Sequence, residues 1–481
     1  MAVSLPSVVG TMWMVLPKLI TSFQTHMQVH CAINKHPPPN RMKIKHLKLT
    51  NYRRFSQFEI ELHPQLTVLV ARNGAGKSSI LDAAATLLGS FVTRLPKVSG
   101  ITFKDTDIQI SEGKPKPYVR LLAISHPMKE SQGIHWDRTE KRDQTKKTAK
   151  AIPEAEGLKA LNKYADEFVD ADNDGQSYEL PVFIYYGTGR GVFDLPQRTK
   201  GFAKEFRRFD SFAGSLESRA NFKRFVEYFY ALETRESDLQ RAERSFDVEL
   251  PELKAIRCAI SKMMPEFANP ESARPAGIQV DWQRIGEYQS QKLRIEQLSD
   301  GYRTTLAMVM DIAARMAEAN PDMDDPLLTS GMVLIDEVDL HLHPGWQQSI
   351  LTDLTNTFPN IQFVVSTHSP QVVSSVKPES IRVIDWVEGE AVLRYVDFSQ
   401  GAEAPQMLQD VLGLESLRPP ELEIVKILNR YTELVESNQW DCPEALELRV
   451  KLNDWGAEHE PELMRLDMDI QLRELDREEG R

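Results

Sequence analysis

Two short stretches carry side chains suited to polyphosphate chemistry. The first is Ala71-Arg72-Asn73-Gly74-Ala75-Gly76-Lys77-Ser78-Ser79. Glycines there let backbone N–H groups crowd around a phosphate, and a helix starting at the lysine adds partial positive charge. Lys77 then reaches the β- and γ-phosphates of a nucleoside triphosphate, and Ser78 places its hydroxyl on Mg2+. Asn73, Gly74, Ala75, Gly76 and Ser79 complete the cradle. The usual loop of this spacing begins with glycine, and Ala71 stands there instead, which is acceptable where φ stays negative. The second stretch is Gly331-Met332-Val333-Leu334-Ile335-Asp336-Glu337, an apolar run ending in two carboxylates. Asp336 suits the Mg2+ shell beside Ser78, and Glu337 suits polarisation of an attacking water. Burying both acids without such a role would be costly. Ser299 and Gly301 in Leu298-Ser299-Asp300-Gly301-Tyr302-Arg303 open a helix and offer a further anion site.

Particular elements must hold these groups. Leu66 to Val70 reads as a buried strand entering the first stretch, and Ser79 to Leu88 as the helix leaving it. Gly331 to Ile335 and Ile361 to Thr367 read as further strands, the latter ending at His368-Ser369-Pro370. Leu306, Val309, Met310, Ala313 and Met316 form one apolar stripe on the helix after Ser299. From Met42 the chain alternates as a strand does, with Ile44, Leu47 and Leu49 apolar. Residues 1–41 differ in character and end in a proline-rich break. Their start is uncharged, unlike a secretory leader, and they are expected to be a non-native or disordered upstream extension.

The 481 residues, 41% hydrophobic and 27% charged, suit a globular chain of several domains and exclude global disorder. No apolar run reaches the roughly 18 residues of a membrane span. Cys31, Cys258 and Cys442 make no disulfide framework, and a cytoplasmic location is expected. The net charge of −12 is unevenly spread: Gly401–Arg481 holds 20 acidic and 9 basic residues, so the first 400 residues sum to about −1.

Four motifs in order, ARNGAGKS, LSDGY, VLIDEVDLHLHP and STHSP, resemble those of ABC-type ATPases of the SMC/RecF/OLD-like branch. Within it the chain is most similar to the PtuA family, the ATPases of Septu and retron-associated anti-phage defence. The resemblance implies an α/β fold: an ABC-ATPase head, a P-loop NTPase mixed sheet flanked by helices, with a helical insert and a helical C-terminal tail. It implies ATP and Mg2+ as ligands and ATP hydrolysis as the reaction. Ser299 and Gly301 match the signature that meets the γ-phosphate on a second protomer. Asp339 matches the loop crossing that interface and His368 the switch histidine. Gln109 is the candidate for the Q-loop glutamine at the metal. His341, His343 and His368 are not expected to form a zinc site, since no cysteine lies near them.

The expected organisation is an extension at 1–41, a first ATPase lobe at 42–110, an insert at 111–284, a second lobe at 285–397 and an acidic helical region at 398–481. Prolines throughout the insert exclude a long coiled coil, leaving room for a helical hairpin around Phe202 to Leu250. Val182 to Tyr186 and the following Gly187-Thr188-Gly189-Arg190-Gly191 read as a strand and a structural turn, because the lysine of a second phosphate loop is missing. OLD nucleases carry a further metal domain, which the helical tail does not resemble. Asp467-Met468-Asp469 falls in a helix, and no nuclease centre is expected in this chain.

The resemblance implies partners: a second head, an HNH nuclease of the PtuB kind and, in retron systems, a reverse transcriptase with its msDNA. Basic patches at 138–150, which reads as a loop, and at 198–208 suit nucleic-acid phosphates, although a solvated loop and an amphipathic helix with phenylalanines in the core are the favoured reading of each. The tail should repel phosphate and face proteins. A RecF- or SMC-like DNA-repair ATPase acting without a dedicated nuclease is the alternative function. A transporter ATPase fits the motif variants less well.

Overall fold

An apolar run buried on both faces belongs in the middle of a sheet, and Leu66–Ala71 is buried at every residue. The computed structural model describes residues 42–127, 133–143, 145–191, 205–218, 222–283, 286, 289–456 and 459–479. The extension expected at 1–41 lies outside them, as do Arg198, Lys200 and Lys204 of the second basic patch. The chain divides into two compact units, the second spanning Glu403–Arg481.

The first unit opens with the hairpin β1 (Ile44–Tyr52) and β2 (Phe55–Glu61). Then come β3 (Leu66–Ala71) and α1 (Lys77–Val92). Strands β4 (Tyr118–Ser125) and β5 (His135–Lys141) add to the hairpin, giving an antiparallel sheet in the order β2-β1-β4-β5. The first part of the 138–150 patch is therefore strand rather than loop, and Lys146–Ala151 is a short helix. The cause is Trp136, fully buried with its indole N–H donating to the Leu87 carbonyl at 3.0 Å. That anchor draws a mostly charged edge strand onto β4. Arg138 is drawn in with it and donates to the carbonyls of Thr86 and Ile101.

β6 (Val182–Tyr186) follows, then the helices α2 (Phe222–Glu243) and α3 (Pro251–Met263). Phe267–Ser272, Ile278–Gln283 and Ser290–Arg294 form a small separate antiparallel sheet. The signature stretch leads into α4 (Asp300–Ala319), which is followed by β7 (Gly331–Ile335), β8 (Ile361–Thr367), β9 (Ile381–Val387) and β10 (Glu390–Arg394). The central sheet runs β10-β9-β3-β8-β7-β6, parallel except where β10 pairs antiparallel with β9. Helices and a mixed parallel sheet make this the α/β head that the motifs implied. No helix among the described residues is long and apolar enough to cross a membrane.

In the second unit, Glu423–Glu436, Pro443–Gly456 and Pro461–Glu479 are helices. Leu428, Tyr431, Leu434, Leu452, Leu463 and Leu466 meet in its own small core.

Candidate functional site

Strands β3, β8, β7 and β6 are parallel neighbours, so their C-terminal ends lie along one edge, where open α/β sheets bind ligands. Each delivers a different group there. β3 runs into the glycine loop, β7 into Asp336 and Glu337, β8 into His368, and β6 into the Gly187–Gly191 turn.

The loop has the backbone its sequence anticipates. Gly74 and Gly76 take φ of 74° and 107°, whereas Ala71 is not among the positive-φ residues. At Gly76 a side chain is doubly excluded, because a Cβ there would lie 2.5 Å from Cζ of Phe55. Trp386 of β9 donates its indole N–H to the Ala75 carbonyl at 3.0 Å. Arg54 donates to the Gly74 carbonyl and lies 4.3 Å above the Trp386 ring. Asn73, Gly74 and Ser78 remain exposed, Ser78 on the first turn of α1. Ser79 is instead tied to Arg53, whose guanidinium also pairs with Asp82.

Lys77 is buried, and its ammonium donates to the Ala71 carbonyl at 3.1 Å. It also lies 2.6 Å from Nε2 of His368. An ammonium can only donate, so the imidazole accepts. Burial, with Lys77 beside it, holds the His368 pKa below its ordinary value. Burial likewise lowers that of Lys77, opposed by Asp336, Glu337 and Asp339. Lys77 and His368 come from opposite ends of the sequence motifs, yet one anion can meet both.

The acids are fixed just as closely. Asp336 is 4% exposed, and its carboxylate accepts from the Ser366 hydroxyl at 2.5 Å. The same hydroxyl accepts from the Glu337 N–H at 2.8 Å. Asp339 accepts from the Thr367 hydroxyl at 2.6 Å. Glu337 is half-buried and has φ of 50°, in the left-handed region. Ser366→Ala should leave a buried carboxylate and an N–H without a shared partner, at a cost of about 1–3 kcal/mol. Thermal unfolding of the purified variant should therefore fall by several degrees.

Ser299 stands at the N-cap position of α4 without a side-chain capping bond and is exposed, while Gly301 sits against the loop after Glu337: a Cβ on it would lie 2.4 Å from the His341 carbonyl oxygen. The structure thus joins the signature stretch to the Asp339–His341 loop. His343 serves locally, accepting from the Gly345 N–H to cap the short helix Pro344–Gln347. Gln109 donates to the Arg54 carbonyl at 3.1 Å, and so braces the β1–β2 turn that holds Gly74. Three supporting residues were not legible in the motifs: Ser366, Trp386 and Arg190. Ser366 stood at the start of STHSP, two residues before the histidine. Arg190 was hidden in a turn that looked structural.

The donor set suits Mg2+ and a polyphosphate. Two positive-φ glycines curve the loop, an exposed hydroxyl stands on Ser78, and a carboxylate is held on Asp336. Fold and site resemble those of ABC-type ATPases of the SMC/RecF/OLD-like branch. A family model described as an AAA domain matches residues 46–268. The Retron Vc95 probable ATPase of Vibrio cholerae is 27% identical over 455 residues, covering 85% of this chain and 86% of that one. The Retron Ec83 probable ATPase of Escherichia coli is 27% identical over 493 residues, 90% of this chain and 87% of that one. The Septu protein PtuA of Bacillus mycoides is 46% identical over 77 residues, 16% of this chain and 10% of that one. A solved SMC head bound to the C-winged helix domain of ScpA aligns with a TM-score of 0.44 at 14% identity, over 73% of this chain and 98% of that one.

Proposed function

We propose that two copies of this chain close head to head around ATP, hydrolyse it, and thereby control a partner nuclease in bacterial anti-phage defence. The observation carrying this reading is the meeting of Lys77, His368, Asp336 and Glu337 at one sheet edge. Asn73 to Ser79 form the phosphate cradle. Lys77 binds the phosphates that its ammonium reaches from the loop. Ser78 and Asp336 hold Mg2+, with Gln109 a further candidate near the loop; the ion, when bound, neutralises charge developing on the phosphates. Glu337 accepts a proton from the attacking water. His368, neutral and next to Lys77, senses the terminal phosphate. Ser299 and Gly301 serve the nucleotide of the other head, with Asp339 at the interface.

The similarity to retron ATPases along most of the chain supports the defence setting, in the cytoplasm, with an HNH nuclease of the PtuB kind and a reverse transcriptase with its msDNA as partners. Asp467 and Asp469 lie on one helix and pair with Arg449 and Arg473 at 2.6 Å each, which favours a separate nuclease over one within this chain. Lys141, Lys146 and Lys150 are exposed, whereas Arg138 and Arg208 donate to main-chain carbonyls. The lysines suit nucleic acid and keep the DNA-repair reading in view.

Co-expression with the neighbouring open reading frames tests the choice. A co-purifying HNH subunit is the expected result. A chain that purifies alone, and by itself retains DNA with a steep salt dependence, favours the repair ATPase.

A further inference from the structure

One buried cation at the phosphate edge has no part in the chemistry above. Arg190 follows β6 in the Gly187–Gly191 turn and is 6% exposed. A guanidinium stays charged in proteins, so its burial requires well-placed acceptors. Its hydrogen bonds go to main-chain carbonyls: Gly187 at 3.2 Å, Glu337 at 2.6 Å, and Asp336. Two of these three belong to the acids that end β7.

Glu337 needs such support. Its φ of 50° costs a side-chain-bearing residue about 1–2 kcal/mol. The conformation is held from both sides. The Ser366 hydroxyl takes the Glu337 N–H, and the Glu337 carbonyl accepts from both Arg190 and the Leu340 N–H. Strain kept at one position by several converging bonds aims a side chain. Away from Glu337, Arg190 lines a small gap with Thr304, Ala307 and Met308 of α4, the helix that begins at the signature stretch.

We infer that Arg190 is a positioning residue for hydrolysis: its guanidinium fixes the Asp336–Glu337 backbone so that the Glu337 carboxylate is aimed at the attacking water, and it links that aim to α4. The inference rests on Glu337 being the general base. Arg190 need touch neither nucleotide nor water to matter, since a displacement of about 1 Å in a reacting group can cost ~10²-fold in rate.

The full-length chain with Arg190→Met or Arg190→Lys is compared with the unsubstituted chain and with Glu337→Gln. Three quantities are measured: kcat and KM for ATP, the Kd of a fluorescent ATP analogue, and the thermal midpoint. Arg190→Met should lower kcat by ~10²-fold while leaving Kd nearly unchanged. Arg190→Lys retains the charge and a donor and should recover part of kcat. The inference is overturned if Arg190→Met turns over at the normal rate. It is equally overturned if kcat and nucleotide affinity fall together in both variants, which marks the guanidinium as scaffold alone. An inactive Glu337→Gln beside an unimpaired Arg190→Met removes only the Arg190 inference. Normal turnover by Glu337→Gln removes the general base, and the Arg190 inference with it.

Discussion

Lys77→Ala should abolish nucleotide binding. The Lys77 ammonium is the cation that links the glycine loop to His368, and it faces Asp336, Glu337 and Asp339. Removing it deletes a charge-assisted hydrogen bond to phosphate, worth about 1.5–3 kcal/mol, and leaves three carboxylates facing an incoming polyanion. The two effects act in the same direction, so the affinity loss should exceed the ~10-fold that corresponds to 1.4 kcal/mol. Titration with a fluorescent ATP analogue reads the loss directly. The thermal midpoint without nucleotide should change little, because the variant removes a buried charge together with its need for partners. A midpoint that collapses would instead make Lys77 a structural residue.

Glu337→Gln separates binding from chemistry. The carboxamide keeps the shape of the side chain and the backbone bonds to Ser366 and Arg190, but it cannot take a proton. Loss of a positioned general base lowers turnover by ~10²–10⁴-fold, while Kd for ATP should stay near that of the unsubstituted chain. Rapid-quench measurement of phosphate release against single-site nucleotide binding distinguishes the two effects. Turnover at the normal rate would move the base to another residue.

The spacing of Lys77 behind two glycines and the apolar run into Asp336 were legible because both obey local rules: a loop must curve, and a strand must be apolar before it ends in charge. The strand at Val182–Tyr186 was equally legible. Its neighbour was not, since pairing β6 with β7 is a contact across more than a hundred residues that no local pattern records. Without that pairing, Arg190 was an arginine in a glycine turn. With it, the guanidinium reaches both acidic carbonyls. Ser366 was hidden for a related reason, because its hydroxyl matters only once β8 lies beside β7. The stretch from Arg138 misled through its composition. Glu140 and Lys141 face outward from an edge strand while Arg138 is drawn in, and a single buried indole two residues earlier, at Trp136, decides the structure.

The proposed pairing of two heads is open to direct measurement. Ser299 is exposed and Gly301 packs against the His341 carbonyl, which leaves the start of α4 open for the proposed contact. In the proposed function a second copy joins this helix end to the phosphate loop. The most direct test is the mass of Glu337→Gln measured by light scattering during size-exclusion chromatography, with ATP and Mg2+ and again with ADP. The expected result is a mass that doubles with ATP and Mg2+ and not with ADP. A mass indifferent to nucleotide, in a variant that still binds ATP, would contradict the account.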